Sequence, residues 1–411
     1  MARQLNVFLG TEKVGVLEQD DHGALWFGYD PAWLASRRAV QLSASLPLRE
    51  DRFRSKECRP FFAGLLPEEM SRKLVASRFG VSERNDFALL EQIGAECAGA
   101  VSLLPPGEIP RAGDASYREI EAGDLEEKLR GLPKAPLLAG EDGIRLSLAG
   151  AQGKAVVTMR DGSYLLPLDG SPSTHILKPD SERFPGLVEN EFFCMRLAAN
   201  LGLDVAPVTI RSAGSIRFLQ VTRYDRRADG KDRWERIHQE DFCQALGIAP
   251  ELKYQNEGGP GLMDCFHLVR ENSTTPVFDV LKLFDAVVFN FLIGNNDAHG
   301  KNFSFLYDGG ETRLAPLYDL VSTELYPDLS VRMAMKIGKE KEAARIFSEQ
   351  WLAFFEEAEL GPSMAIHRLR TLATKARKKS TDLIESTPSA GGVARIVVSR
   401  AESILAAVWK L

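Results

Sequence analysis

Short stretches in which apolar and polar residues alternate open the chain. Residues 5–9 (LNVFL), 13–19 (KVGVLEQ) and 24–29 (ALWFGY) repeat with a period of two between turn formers, which predicts a three-stranded meander. The next stretch, holding Pro47 and Pro60, predicts loops, and residues 84–95 (RNDFALLEQIGA) predict a helix. Proline, glycine and charge gather at 105–115 (PPGEIPRAGDA), a predicted linker ahead of an acidic helix at 121–131. Residues 143–168 predict a glycine-loop hairpin: GIRLS, the loop LAGAQG, KAVVTM, a turn at Asp161-Gly162, and YLLPL. At 187–201 the period lengthens to 3.6. Val188, Phe192, Met195 and Ala199 share one face of a helix that stops at Gly202 and is expected to pack on the sheet. Strands follow near 207–224, and then helices dominate, the clearest at 277–293 with Gly294 as its stop. FSFLY and TRLAP around Asp308-Gly309-Gly310 predict a two-strand insert. Residues 339–411 predict mostly helix, the last one amphipathic and ending in Trp409.

Length and composition narrow the picture. A chain of 411 residues exceeds the size at which one core keeps growing, so two or three lobes and a cleft are expected. With 44% hydrophobic and 26% charged residues it has the make-up of a folded globular protein. Lys plus Arg is 51 against 57 Asp plus Glu, a net −6, so the chain as a whole lacks the positive field that attracts nucleic acid. Any DNA contact would be local or borrowed from a partner. Five scattered cysteines, Cys58, Cys97, Cys194, Cys243 and Cys265, fit neither a disulfide framework nor a CxxC metal site and read as reduced, buried thiols. Met1-Ala2-Arg3-Gln4 leads straight into a strand, and no apolar run approaches the ~18 residues of a membrane span. The expected location is the cytoplasm, with no membrane partner.

Candidate chemistry concentrates just after the apolar helix, in Gly294-Asn295-Asn296-Asp297-Ala298-His299-Gly300-Lys301-Asn302. Phosphoryl transfer needs a carboxylate to hold the attacking hydroxyl and an amide oxygen nearby to hold Mg²⁺; Asp297 and, five positions on, Asn302 supply both at protein-kinase spacing. A polar turn capping a helix is the plainer alternative. Asp319 follows 22 positions after Asp297, in the apolar context Ala315-Pro316-Leu317-Tyr318-Asp319-Leu320, where a buried-looking carboxylate wants a metal. It occupies the chain position of the kinase DFG aspartate, with Tyr-Asp-Leu in place of Asp-Phe-Gly. Upstream, Lys178 ends a β-like run, and Glu191, with Glu189 second, is the candidate to orient it; a surface lysine is the plainer alternative. The loop Ser147-Leu148-Ala149-Gly150-Ala151-Gln152-Gly153-Lys154 offers small residues whose N–H groups can approach phosphate oxygens, though it matches neither G-x-G-x-x-G nor G-x-x-x-x-G-K-[ST]. Glycine loop, β-lysine, helix with Glu, Asp-x-x-x-x-Asn, then Asp is the order of a bilobal kinase. The expectation is therefore an α+β, bilobal protein-kinase-like fold. A β-rich N-terminal subdomain covers 1–110, an ATP-binding part with the glycine loop covers 111–225, and an all-helical catalytic C-terminal lobe covers 226–411.

The segments RLSLAGAQGK, THILKP, ENEFFCMRLAANLGL, VTRYDRR, QEDFCQALG, KYQNEGGPG, LIGNNDAHGKNFS and RLAPLYDLVS resemble the HipA family in matching order, as do PAWLASRRAVQLSASLPL, FFAGLLPE and LLEQIGAECAGAVSL. The resemblance covers nearly the whole chain. It implies a toxin-type serine/threonine protein kinase using ATP and Mg²⁺, with Asp297 as catalytic base and Asn302 and Asp319 on the metal. It further implies Lys178 on the phosphates, the loop Ala149, Gly150, Ala151, Gln152, Gly153, Lys154 over them, Thr222, Arg223 and Tyr224 as the adenine hinge, and His299, Gly300, Lys301 and Tyr318 lining the pocket. Ser147 matches the serine on which HipA autophosphorylates, ejecting the loop; about −2 charge beside the ATP phosphates would repel them. The implied partners are a HipB-like DNA-binding antitoxin, operator DNA indirectly through it, and a protein acceptor such as glutamyl-tRNA synthetase. The chain departs from the family at Gly153 (a Glu in HipA), at Thr222 (an acidic hinge residue) and at 335–345, which mixes signs where HipA is more basic. Two alternatives stand beside this reading: a small-molecule phosphotransferase with the same Asp and Asn logic, and a nucleotide-binding corepressor acting on operator DNA with its antitoxin.

Overall fold

The computed structural model describes residues 3–111, 115–230 and 233–408. The expected end of the last helix at Trp409, and residues 112–114 of the expected linker, lie outside the described residues.

Alternation in the first strands becomes one buried row. Arg3–Leu9, Glu12–Gln19, Leu25–Tyr29 and Phe53–Arg54 pair antiparallel in succession, and Val101–Leu104 adds to the free edge of Arg3–Leu9. The register sets Leu5 opposite Leu17, Leu17 opposite Phe27 and Phe27 opposite Phe53, so one face carries four side chains that are at most 1% exposed. Phe62 packs on Phe27 at 5.4 Å between ring centroids. The meander is as expected, but the proline-bearing stretch after it is helical over Ser55–Gly64 and Glu69–Arg78. Pro60 lies inside the first of these. An interior proline costs about 3 kcal/mol, whereas burying Phe61 and Phe62 completely returns about 1.5–3 kcal/mol each. Burial outweighs the local signal.

A second antiparallel sheet contains, in spatial order, Ile216–Thr222, His175–Pro179, Ala155–Arg160, Ser163–Leu168 and Ser116–Glu119. Asp161 and Gly162 both take positive φ (50° and 86°), as a two-residue hairpin turn with strand-matching twist requires. The glycine loop, in contrast, is not a hairpin turn. Ala155–Arg160 already has a neighbour on each side, so residues 143–154 stay irregular and make one parallel bridge, Leu146 to Glu96.

Two compact units divide the chain: Met1–Pro179 with Arg211–Pro250 and Leu306–Gly310, and Asp180–Ile210 with Glu251–Phe305 and Glu311–Leu411. The second is built on helices Leu187–Asn200, Leu262–Asn272, Pro276–Leu292, Ser348–Glu357, Pro362–Ile384 and Gly391–Val408. Its core joins Phe266, Phe284, Trp351, Phe354 and Phe355, with Phe284 and Phe354 stacked at 6.1 Å. It is helical except for short strands, including the ribbon Arg332–Ile337 with Glu340–Glu342. Helix Leu187–Asn200 buries a wider face than its period implied. Val188 and Met195 are buried, Phe192 half-buried and Ala199 exposed, and within its own unit it packs on the helices Pro362–Ile384 and Gly391–Val408. All five cysteines are buried thiols outside any disulfide, and among the described residues no helix is long and apolar enough to cross a membrane.

Candidate active site

Helix Pro276–Leu292 is apolar on nearly every side and buried along its C-terminal half. Gly294, with φ +66°, ends it by turning the chain left-handed; a Cβ there would also stand 2.8 Å from the Glu324 carboxylate. The turn that follows is knitted by its own amides. Asn295 donates from Nδ2 to Asn290 Oδ1 (2.8 Å) and accepts at Oδ1 from the Asp297 N–H (3.1 Å). The His299 N–H donates to the Asp297 carbonyl (2.8 Å) and to Asn302 Oδ1 (3.1 Å). Two outside supports complete it: Thr323 Oγ1 accepts from the Asn296 N–H (2.7 Å), and the Ala334 N–H donates to the Asn296 carbonyl (2.7 Å). Asn295, Asn296, His299, Gly300 and Lys301 are buried as a result, while Asp297 alone of this group is exposed. A rigid turn thus presents one carboxylate to solvent.

Asp319 reaches the same place from the other direction. Leu317 is fixed by a parallel bridge to Val205, and the Tyr318 hydroxyl lies 2.7 Å from both the Lys301 carbonyl and Ser304 Oγ. Tyr318 therefore ties the Asp319 segment to the turn rather than leaving its hydroxyl open to a ligand. Asp319 is exposed, not buried as its apolar flanks suggested; those flanks, Leu317 and Leu320, are what is buried. Its φ is +57°, an unfavourable backbone for a residue with a Cβ that is typically retained where function demands it. Beyond it, Asn190 clamps Ser322 by two bonds, accepting from its N–H (2.9 Å) and donating to its carbonyl (3.0 Å).

These constraints bring Asn302 Nδ2 to 3.4 Å from Asp319 Oδ2. An amide oxygen and a carboxylate are the hard donors that Mg²⁺ prefers, and Asn302 Oδ1 keeps a lone pair beyond its bond to His299. Among the described residues no group of three or more His, Cys, Asp or Glu could hold a metal by itself. The pair suits a cation that takes its remaining ligands from phosphate and water, as Mg²⁺ does in kinase sites.

The remaining candidates lie in the N-terminal unit, apart from Glu191 and Glu189. Lys178 sits on its strand opposite Leu219 and is 8% exposed, so it is not the solvated surface lysine of the plainer alternative. Glu191 and Glu189 lie on helix Leu187–Asn200, both buried, Glu191 the more so. Ser147 is fully buried; its hydroxyl donates to the Leu65 carbonyl (2.7 Å) and its N–H to the Glu96 carbonyl (2.8 Å). The loop crown is held by Ser71, whose hydroxyl donates to the Ala151 carbonyl (2.9 Å). Ala149, Gly150, Gln152 and Gly153 are half-buried and Ala151 exposed. Lys154 turns its ammonium inward onto the Ala149 carbonyl, bracing the loop from within rather than reaching outward.

The expected hinge, Thr222 to Tyr224, is more committed than its sequence suggested. The Arg223 guanidinium is buried against Asp225 (2.8 Å) and Glu96 (3.3 Å), and the backbone N–H of Arg223 donates to the Thr174 carbonyl (2.9 Å). The Tyr224 hydroxyl bonds Gln239. Arg223 belongs to a buried cluster in which Arg226 also binds both Glu96 (2.7 Å) and Asp225 (2.9 Å). Burial pushes the Glu96 and Asp225 carboxyls up, but the guanidiniums outweigh it and hold both below the usual carboxylate range. Burial and the neighbouring guanidinium of Arg226 press Arg236, bonded to Ser102 Oγ (2.8 Å), down to about 10.

Sequence reasoning missed the residues that hold the turn from outside. Tyr254 donates its hydroxyl to Asp297 Oδ1 at 2.8 Å, Thr323 caps Asn296, and Asn190 clamps Ser322. Tyr254 and Asn190 fall in the segments KYQNEGGPG and ENEFFCMRLAANLGL, whereas Thr323 had no signal.

Taken together, the chain has a protein-kinase-like fold with an exposed Asp, an Asn and a second Asp gathered in one place. Residues 146–380 match the HipA-like C-terminal domain and residues 5–104 the HipA N-terminal domain, so the chain belongs to the HipA family. It is 50% identical over 399 residues to the Sinorhizobium fredii protein Y4mE, covering 96% of this chain and 92% of that one. It is 32% identical over 398 residues to the serine/threonine-protein kinase toxin HipA of Shewanella oneidensis, covering 93% and 90%. The solved complex of HipA, HipB and operator DNA from Shewanella oneidensis MR-1 contains a chain that superposes with a TM-score of 0.87 at 30% identity, covering 99% of this chain and 98% of that one.

Proposed function

We propose that this protein is a serine/threonine protein kinase that acts as the toxin of a toxin–antitoxin pair, transferring the γ-phosphoryl group of ATP to a protein hydroxyl. The observation that carries the reading is the approach of Asn302 to Asp319 beside Asp297, the exposed residue of a turn that is otherwise buried or half-buried. Asp297 orients the acceptor hydroxyl and takes its proton; Asn302 and Asp319 hold Mg²⁺, which neutralises phosphate charge when bound. Lys178 contacts the phosphates with Glu191 orienting it, and the 149–154 loop covers them. Residues 111–225 supply ATP binding, with backbone groups of Thr222 to Tyr224 toward adenine, and residues 226–411 supply the catalytic turn.

Ser147 is the autophosphorylation site. Its burial means that the segment must leave its seat before the hydroxyl can be modified, and about −2 added charge would oppose its return. Likeness to a chain from a HipA, HipB and operator DNA complex supports a HipB-like antitoxin that brings this protein to operator DNA. Glutamyl-tRNA synthetase is the first acceptor to test. Incubation with γ-labelled ATP and Mg²⁺ in a cell extract, followed by identification of the labelled band, tests the reading. Incorporation should vanish in Asp297→Asn and in Asp319→Asn; label that persists in either variant would overturn it.

A further inference from the structure

The segment Lys253-Tyr254-Gln255-Asn256-Glu257-Gly258-Gly259-Pro260-Gly261 has a fixed shape. The Glu257 and Gly259 N–H groups both donate to the Tyr254 carbonyl at 2.9 Å, closing the 3₁₀ turn Gln255–Glu257. A Cβ on Gly259 would lie 2.1 Å from the Leu252 carbonyl oxygen and 2.8 Å from that of Tyr254, so only glycine lets the chain fold back this tightly. Gln255 fastens the turn to a neighbouring strand by accepting from the Lys336 N–H at 2.9 Å. What this frame holds out is Tyr254. Its ring meets the His299 ring edge-on at 5.4 Å, the Lys253 ammonium stands 5.4 Å from its ring centroid, and its hydroxyl donates to Asp297 Oδ1 at 2.8 Å.

We infer that Tyr254 is a positioning residue for phosphoryl transfer, holding Asp297 Oδ1 so that the second carboxylate oxygen faces the acceptor hydroxyl. The inference rests on the kinase reading above. Only a narrow range of χ1 and χ2 places a carboxylate oxygen in line with an incoming alcohol. A phenol fixed by a rigid turn and by ring packing favours that range through a charge-assisted bond to Asp297. The bond is to Asp297, so the expected effect is on turnover rather than on ATP binding.

Tyr254→Phe deletes the hydroxyl and keeps the ring on His299; Tyr254→Ala deletes both. With purified wild-type protein and the acceptor found above, kcat should fall roughly tenfold in Tyr254→Phe, the effect of losing one hydrogen bond to a charged group, with the KM for ATP within about twofold of wild type. Most of the loss in Tyr254→Ala should already be present in Tyr254→Phe. A bound fluorescent ATP analogue reports that each variant is folded. Wild-type kcat in Tyr254→Phe would overturn the inference while leaving the kinase reading intact. A faster Tyr254→Phe would overturn it too, since the hydroxyl would then compete with the acceptor for Asp297. No turnover by the wild-type protein on any acceptor is the separate failure of the kinase reading itself.

Discussion

The turn at 294–302 and the loop at 147–154 carry complementary duties and are built in opposite ways. The turn is held mainly by bonds between residues two to five positions apart, such as Asn290 with Asn295 and Asn295 with Asp297. The loop, braced inside by Lys154 on the Ala149 carbonyl, is anchored to the rest of the unit by partners far away in sequence: Ser147 on Leu65 at a separation of 82, and Ser71 on Ala151 at 80. A turn knitted by near neighbours and capped from outside by Thr323 and Ala334 is held on both counts, so its chemistry can be permanent. A loop seated on remote groups can be unseated without unfolding the sheet beside it, which suits a segment whose serine is to be modified.

Replacing Asp297 with Ala tests the permanence of the turn. Initial-rate assays should show phosphate transfer reduced by about a thousandfold or more, while urea unfolding changes by about 1 kcal/mol, the loss of an exposed carboxylate and its bond from Tyr254. Glu96→Gln works at the base of the loop. It leaves Arg223, Arg226 and Arg236 facing one carboxylate in a dry interior, which should cost about 3–5 kcal/mol in the same unfolding experiment. Comparable destabilisation by both variants would erase the contrast.

Ser71→Ala sharpens it. Removing one hydroxyl anchor, about 1 kcal/mol, should raise the KM for ATP several-fold and speed Ser147 phosphorylation by a similar factor, read by initial rates and by phosphosite mass spectrometry. A rise in one without the other would show that seat and cover are separate functions.

The smallest expected effect is on pH dependence in the N-terminal unit. Burial pushes the Glu240 carboxyl, bonded to Ser43, Ala44 and Tyr307, up to about 7, and holds His238 down to about 4. The folded state then binds Glu240's proton more tightly than the unfolded chain, so this group's contribution falls as pH rises from about 4.5 to about 7. His238 does the reverse: its neutral form is favoured on folding, and its contribution grows from about pH 4 to 6.5. Between pH 4.5 and 6.5 the two oppose each other. Glu240→Gln should unmask the rising histidine limb in thermal melts, and a slope unchanged from wild type would contradict the opposition.

Reading the sequence identified the parts that depend on near neighbours. Period-two alternation marked the meander, the long apolar run marked Pro276–Leu292, Gly294 marked its end, and Asp297 and Asn302 followed at a spacing that a single turn can satisfy. The same locality made Asp161-Gly162 visible as a hairpin turn. It failed where burial overrode a local signal, as in the helix through Pro60, and where an apolar flank disguised an exposed residue, as at Asp319.

Tertiary structure alone decided that Tyr254 reaches Asp297, that Arg223 points inward, and that the glycine loop rests on Leu65 and Ser71 rather than closing a hairpin. Spacing along a helix or strand encodes which side chains share a face, because backbone geometry repeats every few residues. Pairings across tens of residues depend on how those faces stack, and no short-range period carries that information.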